Sequence, residues 1–176
     1  GVGSAKKAGG IKATTQAGLG DVVAASTYYV IEGDESKAGL DLTAKVKLPT
    51  ADKDAGLGTG ETDYAAQVDV YKLLDKKITL TGSLGRKFLG SSAALPVNDI
   101  FYGSLGATYK VSDKLGAGIT LDAAQASSAA GYNQLELTGY MYRKIDKSRK
   151  VQGYLLKGFT NGSPDTGLGM LFTWAL

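Results

Sequence analysis

The chain has 176 residues, a net charge of +3, 25 glycines and 10 tyrosines, and it contains neither cysteine nor histidine. Catalysis by a Ser–His or Cys–His pair is therefore excluded, and no apolar run approaches the roughly 18 residues of a transmembrane helix. Because basic and acidic residues are interleaved, no basic block favours nucleic acid as a partner.

From residue 21 onward one pattern repeats: about ten to twelve residues alternate apolar with polar or glycine and then reach a turn. In the clearest case, residues 40–48, every even position is apolar, and Asp41, Thr43, Lys45 and Lys47 occupy the odd positions. Side chains of a strand point alternately to opposite faces, so this run has one apolar and one charged face. Strands of about ten residues with this alternation are typical of a transmembrane β-barrel.

The pattern predicts an all-β protein, a transmembrane antiparallel β-barrel of which nine strands are visible. They cover residues 21–33, 38–49, 61–72, 77–89, 99–111, 115–125, 133–145, 149–159 and 167–176. Short turns alternate with long loops, as in outer-membrane barrels. The short turns are 34–37, 74–76, 112–114 and 146–148, and the long loops are 50–60, 90–98, 126–132 and 160–166.

Nine strands do not close a barrel of the usual even count. Either residues 11–17 form a tenth strand, or further strands precede Gly1; we favour the second interpretation. Residues 1–20 are then an external loop or a partial strand, and residues 21–176 are the barrel strands.

The apolar and polar faces of the predicted strands are expected to meet different environments. The apolar face meets lipid, with aromatic residues towards the strand ends, where rings suit the water–lipid boundary. Those residues are Tyr64, Phe88, Phe101, Tyr109, Phe159 and Trp174. The other face lines the lumen, and Lys47 and Asp63 are expected to face each other across one hairpin. The predicted lining includes Asp41, Lys45, Lys47, Asp63, Asp69, Lys87, Lys110, Asp122, Glu136 and Tyr140. The faces of the strand at 21–33 are ambiguous, because neighbouring positions there are alike.

A soluble sandwich or lipocalin-like barrel is the alternative, and it would bury the apolar face. The alternating turn lengths and the terminal aromatics argue against it. The glycine-rich run 56–60 lacks the helix and lysine of a phosphate loop, and the acidic residues from Asp52 to Asp63 lack the spacing of a calcium loop. We therefore expect no enzymatic activity, no cofactor and no metal site.

Several segments resemble the outer-membrane proteins grouped as channels of the phenol-degradation meta-pathway type. The matching stretches are Gly18-Leu19-Gly20-Asp21, Lys47-Leu48-Pro49-Thr50, Gly56-Leu57-Gly58-Thr59-Gly60 leading into Asp63-Tyr64, and Gly85-Arg86-Lys87-Phe88-Leu89-Gly90. The resemblance implies an outer-membrane barrel of about twelve strands that admits small aromatic or other hydrophobic compounds.

The sequence thus predicts a channel of the bacterial outer membrane through which small molecules diffuse. Its expected partners are outer-membrane lipid and a small-molecule permeant, without nucleic acid, and the oligomeric state stays open. The alternative is a barrel that does not transport and acts through its surface loops as a structural or adhesive protein.

Overall fold

The computed structural model describes residues 18–55, 57–91 and 96–174. These residues form one nine-stranded antiparallel sheet, and the all-β architecture predicted from the sequence is confirmed. No helix in the described chain is long and apolar enough to cross a membrane. Residues 11–17, the alternative candidate for a tenth strand, lie outside the described residues, as do the last two residues of the strand predicted at 167–176.

The strands follow one another as a meander. They are β1 (Val22–Ile31), β2 (Gly39–Leu48), β3 (Asp63–Leu73), β4 (Ile78–Phe88), β5 (Ile100–Lys110), β6 (Leu115–Ala124), β7 (Gln134–Lys144), β8 (Arg149–Gly158) and β9 (Thr166–Trp174). Each predicted strand boundary from the start of the first strand to the start of the ninth lies within two residues of the observed one. Each strand pairs with its neighbours in sequence, and β1 and β9 form the two edges of the sheet over the described residues.

The four short turns share one hydrogen-bond pattern, which explains why the chain reverses there. In each turn one Asp or Ser residue uses a side-chain oxygen to accept hydrogen bonds from the backbone amides two and three residues later. Asp34 accepts them at 2.7 and 2.9 Å, and Asp75, Ser112 and Asp146 do the same in the other turns. Asp and Ser favour turns for this reason.

The register keeps the two faces separate across the whole sheet. Leu42 of β2 lies opposite Tyr28 of β1 and Val68 of β3, whereas Thr43 lies opposite Thr27 and Gln67. Adjacent strands therefore stack apolar residues on one face and polar residues on the other.

The apolar face is the exposed face. Leu105 and Leu155 are each 69% exposed and Leu168 is 82% exposed, whereas the buried apolar residues of the described chain are Ala51 and Ile100. A soluble barrel buries this face, so the observed arrangement is the reverse of the soluble alternative.

Candidate functional site

The polar face is the concave side of the sheet, since side-chain hydrogen bonds on it reach across an intervening strand, from Tyr102 to Gln67 and between Thr108 and Tyr140. Along β3 the odd-numbered residues from Asp63 to Tyr71 are half-buried, and the even-numbered residues from Tyr64 to Val70 are exposed. The register places all ten residues predicted to line a lumen on this polar face.

Lys47 lies at the end of β2 that leads into the long loop, and three oxygens surround its ammonium group. Its Nζ is 2.7 Å from Asp63 Oδ2, 3.3 Å from Asp21 Oδ2 and 2.9 Å from Thr59 Oγ1. The cross-hairpin pair between Lys47 and Asp63 is thus present, as predicted. Asp21 also accepts a hydrogen bond from the Ala51 amide, which together with Lys47 lowers the pKa of its carboxyl group. Lys47 therefore connects β2 with β3, with the long loop between them and with Asp21, the residue that precedes β1.

Lys45 and Lys87 have a different environment, built around one tyrosine. Lys45 Nζ donates to Gln67 Oε1 at 2.8 Å, and the Tyr102 hydroxyl donates to the same oxygen at 2.8 Å. The Nζ atoms of Lys45 and Lys87 lie 6.0 and 5.1 Å from the centroid of the Tyr102 ring. Tyr102 is on β5 and Gln67 on β3, so these contacts reach across β4, as expected on a concave surface.

Two pairs of carboxylates face each other directly across neighbouring strands. Asp41 of β2 lies opposite Asp69 of β3, and Asp122 of β6 lies opposite Glu136 of β7. Gln67 and Thr43 donate to Asp69 at 2.5 and 3.3 Å. Asp41 Oδ1 is buried and has no hydrogen-bond partner among the described residues. Like charges in directly opposed positions destabilise a sheet, so neither pair is explained by strand stability.

At the turn end of the polar face, an ion pair, a hydrogen bond and a cation–π contact connect the lining residues. Lys110 pairs with Asp113 at 2.6 Å, and Thr108 and Tyr140 share a hydrogen bond of 2.6 Å that reaches from β5 to β7. Lys150 Nζ lies 5.6 Å from the centroid of the Tyr142 ring.

Tyrosines of the polar face lie over glycines of the neighbouring strand, a feature that sequence reasoning missed. In five cases a tyrosine lies directly opposite a glycine at which an added Cβ would overlap the ring. The pairs are Tyr71 with Gly39, Tyr102 with Gly85, Tyr142 with Gly116, Tyr140 with Gly118, and Tyr154 with Gly169. Each glycine makes room for a ring to lie flat against the sheet, so the tyrosines narrow the concave space less than their size suggests.

In the long loop between β2 and β3, and where that loop enters β3, acidic side chains accept hydrogen bonds from backbone amides. Asp52 accepts hydrogen bonds from the amides of Asp54 and Ala55, and Asp63 accepts one from the Gly90 amide. Gly60 adopts a positive φ of 73°, which favours glycine at that position. The acidic residues of this loop thus act as turn and strand partners.

On the apolar face, Arg86 reaches towards the long-loop end. Its Nη2 atom is 3.0 Å from Asp99 Oδ2, and its guanidinium lies 5.0 and 5.4 Å from the ring centroids of Phe88 and Phe101. A long basic side chain that lies along aromatic rings and ends at a loop carboxylate keeps its charge away from the middle of the apolar face.

One family model matches residues 2–176, and its family is described as "Putative MetA-pathway of phenol degradation". No curated protein matches the chain.

Proposed function

This chain belongs to that phenol-degradation family, and we propose that it is a β-barrel of the bacterial outer membrane through which small molecules diffuse. The observation that carries the proposal is the distribution of burial in the sheet, whose apolar face is exposed and whose charged face is half-buried.

The first support is the composition and the extent of the exposed face. Soluble monomers rarely expose contiguous apolar patches larger than a few hundred Å². Here large apolar side chains are exposed on all nine strands, from Val22 of β1 to Trp174 of β9. Hydrocarbon is the solvent in which such a face is stable, because every backbone group inside the sheet is already hydrogen-bonded to a neighbouring strand.

The second support is the position of the aromatic residues on the apolar face. They form two rows, one near the long loops and one near the short turns. The loop row is Tyr64, Phe88, Phe101 and Phe159, and the turn row is Tyr28, Tyr109, Phe172 and Trp174. A ten-residue strand is about 33 Å long, and a tilt of about 45° reduces its height to about 23 Å. This matches an apolar band of about 25 Å between two aromatic girdles.

The third support is the chemistry of the polar face, along which a permeant would move. A half-buried face with charged, hydroxyl and amide side chains offers hydrogen bonds to water and to polar solutes along its length. The exposed parts of the tyrosine rings offer π-surface to aromatic solutes, the class that the family resemblance implies. Because the chain contains no histidine and no cysteine for a Ser–His or Cys–His pair, we infer transport rather than catalysis.

Conductance in a planar lipid bilayer tests the proposal. The purified protein, added from detergent, is expected to insert and to give discrete conductance steps in salt solution. Insertion without any conductance would instead favour the second candidate, a structural or adhesive barrel. That alternative draws on the hydrogen-bonded cross-links on the polar face, such as Tyr102 to Gln67, which occupy part of the concave space.

A further inference from the structure

The concave face contains a cavity of about 320 Å³ near the long-loop end, where charges of both signs meet. We call it the charged cavity and define it by the side chains that carry the argument: Lys45, Lys87, Tyr102, Asp122, Gln134 and Glu136. The basic residues come from β2 and β4, the acidic ones from β6 and β7, and Tyr102 comes from β5 between them. The two signs therefore occupy different walls.

The two lysines of the basic wall are held in place by uncharged partners. Gln67 accepts from Lys45, and the Tyr102 ring lies near both ammonium groups, so the partners of these lysines are an amide and a π-face. Neither lysine belongs to an ion pair of the described residues. Lys47, which lies only two residues after Lys45 on β2, has two carboxylate partners instead.

The two carboxylates of the acidic wall also lack a partner of opposite charge among the described residues. Asp122 and Glu136 lie directly opposite each other on neighbouring strands, and neither forms an ion pair within residues 18–55, 57–91 and 96–174. Two opposed carboxylates lower the stability of the sheet unless a cation joins them. A solute that carries a positive group supplies such a cation transiently.

Separated walls of opposite charge produce a field across the cavity rather than along it. An ion of one sign is attracted by one wall and repelled by the other, so its net gain is small. A solute with an ammonium group and a carboxylate gains at both walls when it turns its ammonium group towards Asp122 and Glu136 and its carboxylate towards Lys45 and Lys87.

We propose that the charged cavity selects small zwitterionic solutes for passage. This inference rests on the proposed channel function and narrows its permeant class. Gln134 adds an amide donor and acceptor to the acidic side, and the Tyr102 ring adds an apolar floor for the carbon skeleton of the solute.

Osmotic swelling of liposomes that contain the protein tests the selection. L-alanine and its neutral isomer lactamide have the same composition, so they differ mainly in charge separation, and protein-free liposomes give the background. We expect liposomes with the wild-type protein to admit alanine about fivefold faster than lactamide. A factor of this size corresponds to the free energy of the weak, solvent-exposed ion pairs that alanine would form with the two walls. Equal rates in liposomes that conduct salt would overturn the zwitterion proposal and leave the channel function intact.

The decisive variant combines Lys45→Gln, Lys87→Gln, Asp122→Asn and Glu136→Gln, which keeps the net charge and nearly the side-chain volumes. It is expected to lose the preference for alanine while it still conducts salt, and a retained preference would overturn the proposal. Should this variant fail to fold, Asp122→Asn with Glu136→Gln removes the acidic wall alone and relieves its repulsion, and the same loss of preference is expected.

The matched control is Lys110→Gln with Asp113→Asn, which removes one charge of each sign from the turn end. It is expected to keep the fivefold preference, and loss of preference in this control would show that the charged cavity is not the selective element. If the wild type admits no solute and conducts no salt, the channel function fails and the zwitterion proposal fails with it.

Discussion

Two lysines only two positions apart on β2 have different roles. Lys47 is surrounded by Asp63, Asp21 and Thr59, and its side chain is 20% exposed. Lys45 has an amide and an aromatic ring as partners. The alternation of the sequence places both on the polar face but does not distinguish them, because Asp21 approaches Lys47 from the segment before β1 and Thr59 approaches it from a loop.

The difference leads to a prediction about charge reversal. Lys45→Glu with Lys87→Glu is expected to shift the ion preference of the channel towards cations and to leave stability nearly unchanged. Lys47→Glu brings three carboxylates together, and the lost pairs of about 0.2–1 kcal/mol each, with added repulsion, lower the free energy of unfolding by about 1–2 kcal/mol. Reversal potentials under a salt gradient and urea unfolding in lipid vesicles measure the two effects. An unchanged reversal potential in the double variant would remove Lys45 and Lys87 from the permeation path.

The tyrosine–glycine pairs give a second residue-scale prediction. Gly85→Ala places a methyl group where the Tyr102 ring lies, and overpacking of this kind costs about 1–3 kcal/mol. The change also moves Tyr102 away from Gln67 and the two lysines. Gly153→Ala is the control, because Gly153 has no atom of another residue within 4 Å of the added methyl. Unfolding in vesicles is expected to show a loss for Gly85→Ala alone, and equal stability of the two variants would contradict the role of the ring.

At the scale of the strands, the sequence was informative because alternation and turn residues agree. All nine strands and the four short turns were predicted, since each hairpin has an apolar face to preserve and a polar turn to reverse the chain. The faces of β1 were ambiguous, because its neighbouring residues, such as Val22 and Val23, are chemically alike. The register places Val22 and Tyr28 on the apolar face and Val23 and Tyr29 on the polar face, with an irregularity between Tyr29 and Ile31.

The tyrosine–glycine pairs required the register and were therefore not predicted. A glycine in an alternating run fits the apolar and the polar face equally well, so its packing role depends on the residue opposite it on the neighbouring strand. Once a short turn fixes a hairpin, counting outward from it places Tyr142 opposite Gly116, and this counting is the signal that the sequence contained.

The aspartate turns predict a local dependence on pH. Hydrogen bonds from the Ser36 hydroxyl and from the amides of Lys37 and Ser36 lower the pKa of Asp34 to about 2. An unfolded aspartate titrates near 3.9, so the turn gains stability above that pH and loses it as the pH falls through the folded value. Amide hydrogen exchange of Lys37 is expected to accelerate, relative to its intrinsic rate, between about pH 4 and pH 2.

The turn at Ser112 is the internal control, because a hydroxyl accepts the same two amide hydrogen bonds and does not titrate there. The relative exchange rate of the Leu115 amide is expected to stay constant over the same range. Asp34→Asn keeps an acceptor oxygen and is expected to remove the pH dependence of Lys37. A pH dependence that persists in this variant would show that another group controls the turn.

At the scale of the whole molecule, the sheet is inverted, by which we mean that its apolar face is exposed and its polar face is half-buried. Both the amino-acid composition and the alternating pattern lead to this arrangement. The apolar residues occupy one face of every strand, and the described chain offers no second layer to cover that face. The total number of strands of a closed barrel was not predictable, because nothing in a single hairpin reports how many neighbours a barrel has.

The inverted sheet predicts opposite effects of arginine at adjacent positions. Ile119 lies in the middle of β6 on the apolar face and is 56% exposed, and Thr120 lies on the polar face. Ile119→Arg is expected to cost about 2–4 kcal/mol in lipid vesicles, the range for a basic residue at the bilayer midplane. Thr120→Arg is expected to cost clearly less, since water reaches that face. Unfolding by urea measures both, and equal losses would contradict the assignment of the faces.

Cysteine scanning along β6 tests the central claim most directly, because the chain contains no cysteine of its own. Single changes to cysteine at Ile119, Thr120, Leu121 and Asp122 are made in protein reconstituted in lipid vesicles. A charged, water-soluble maleimide is expected to label positions 120 and 122, and nitroxide lipids are expected to quench probes at 119 and 121. Labelling of 119 and 121 from water, with 120 and 122 protected, would mean that the apolar face does not meet lipid.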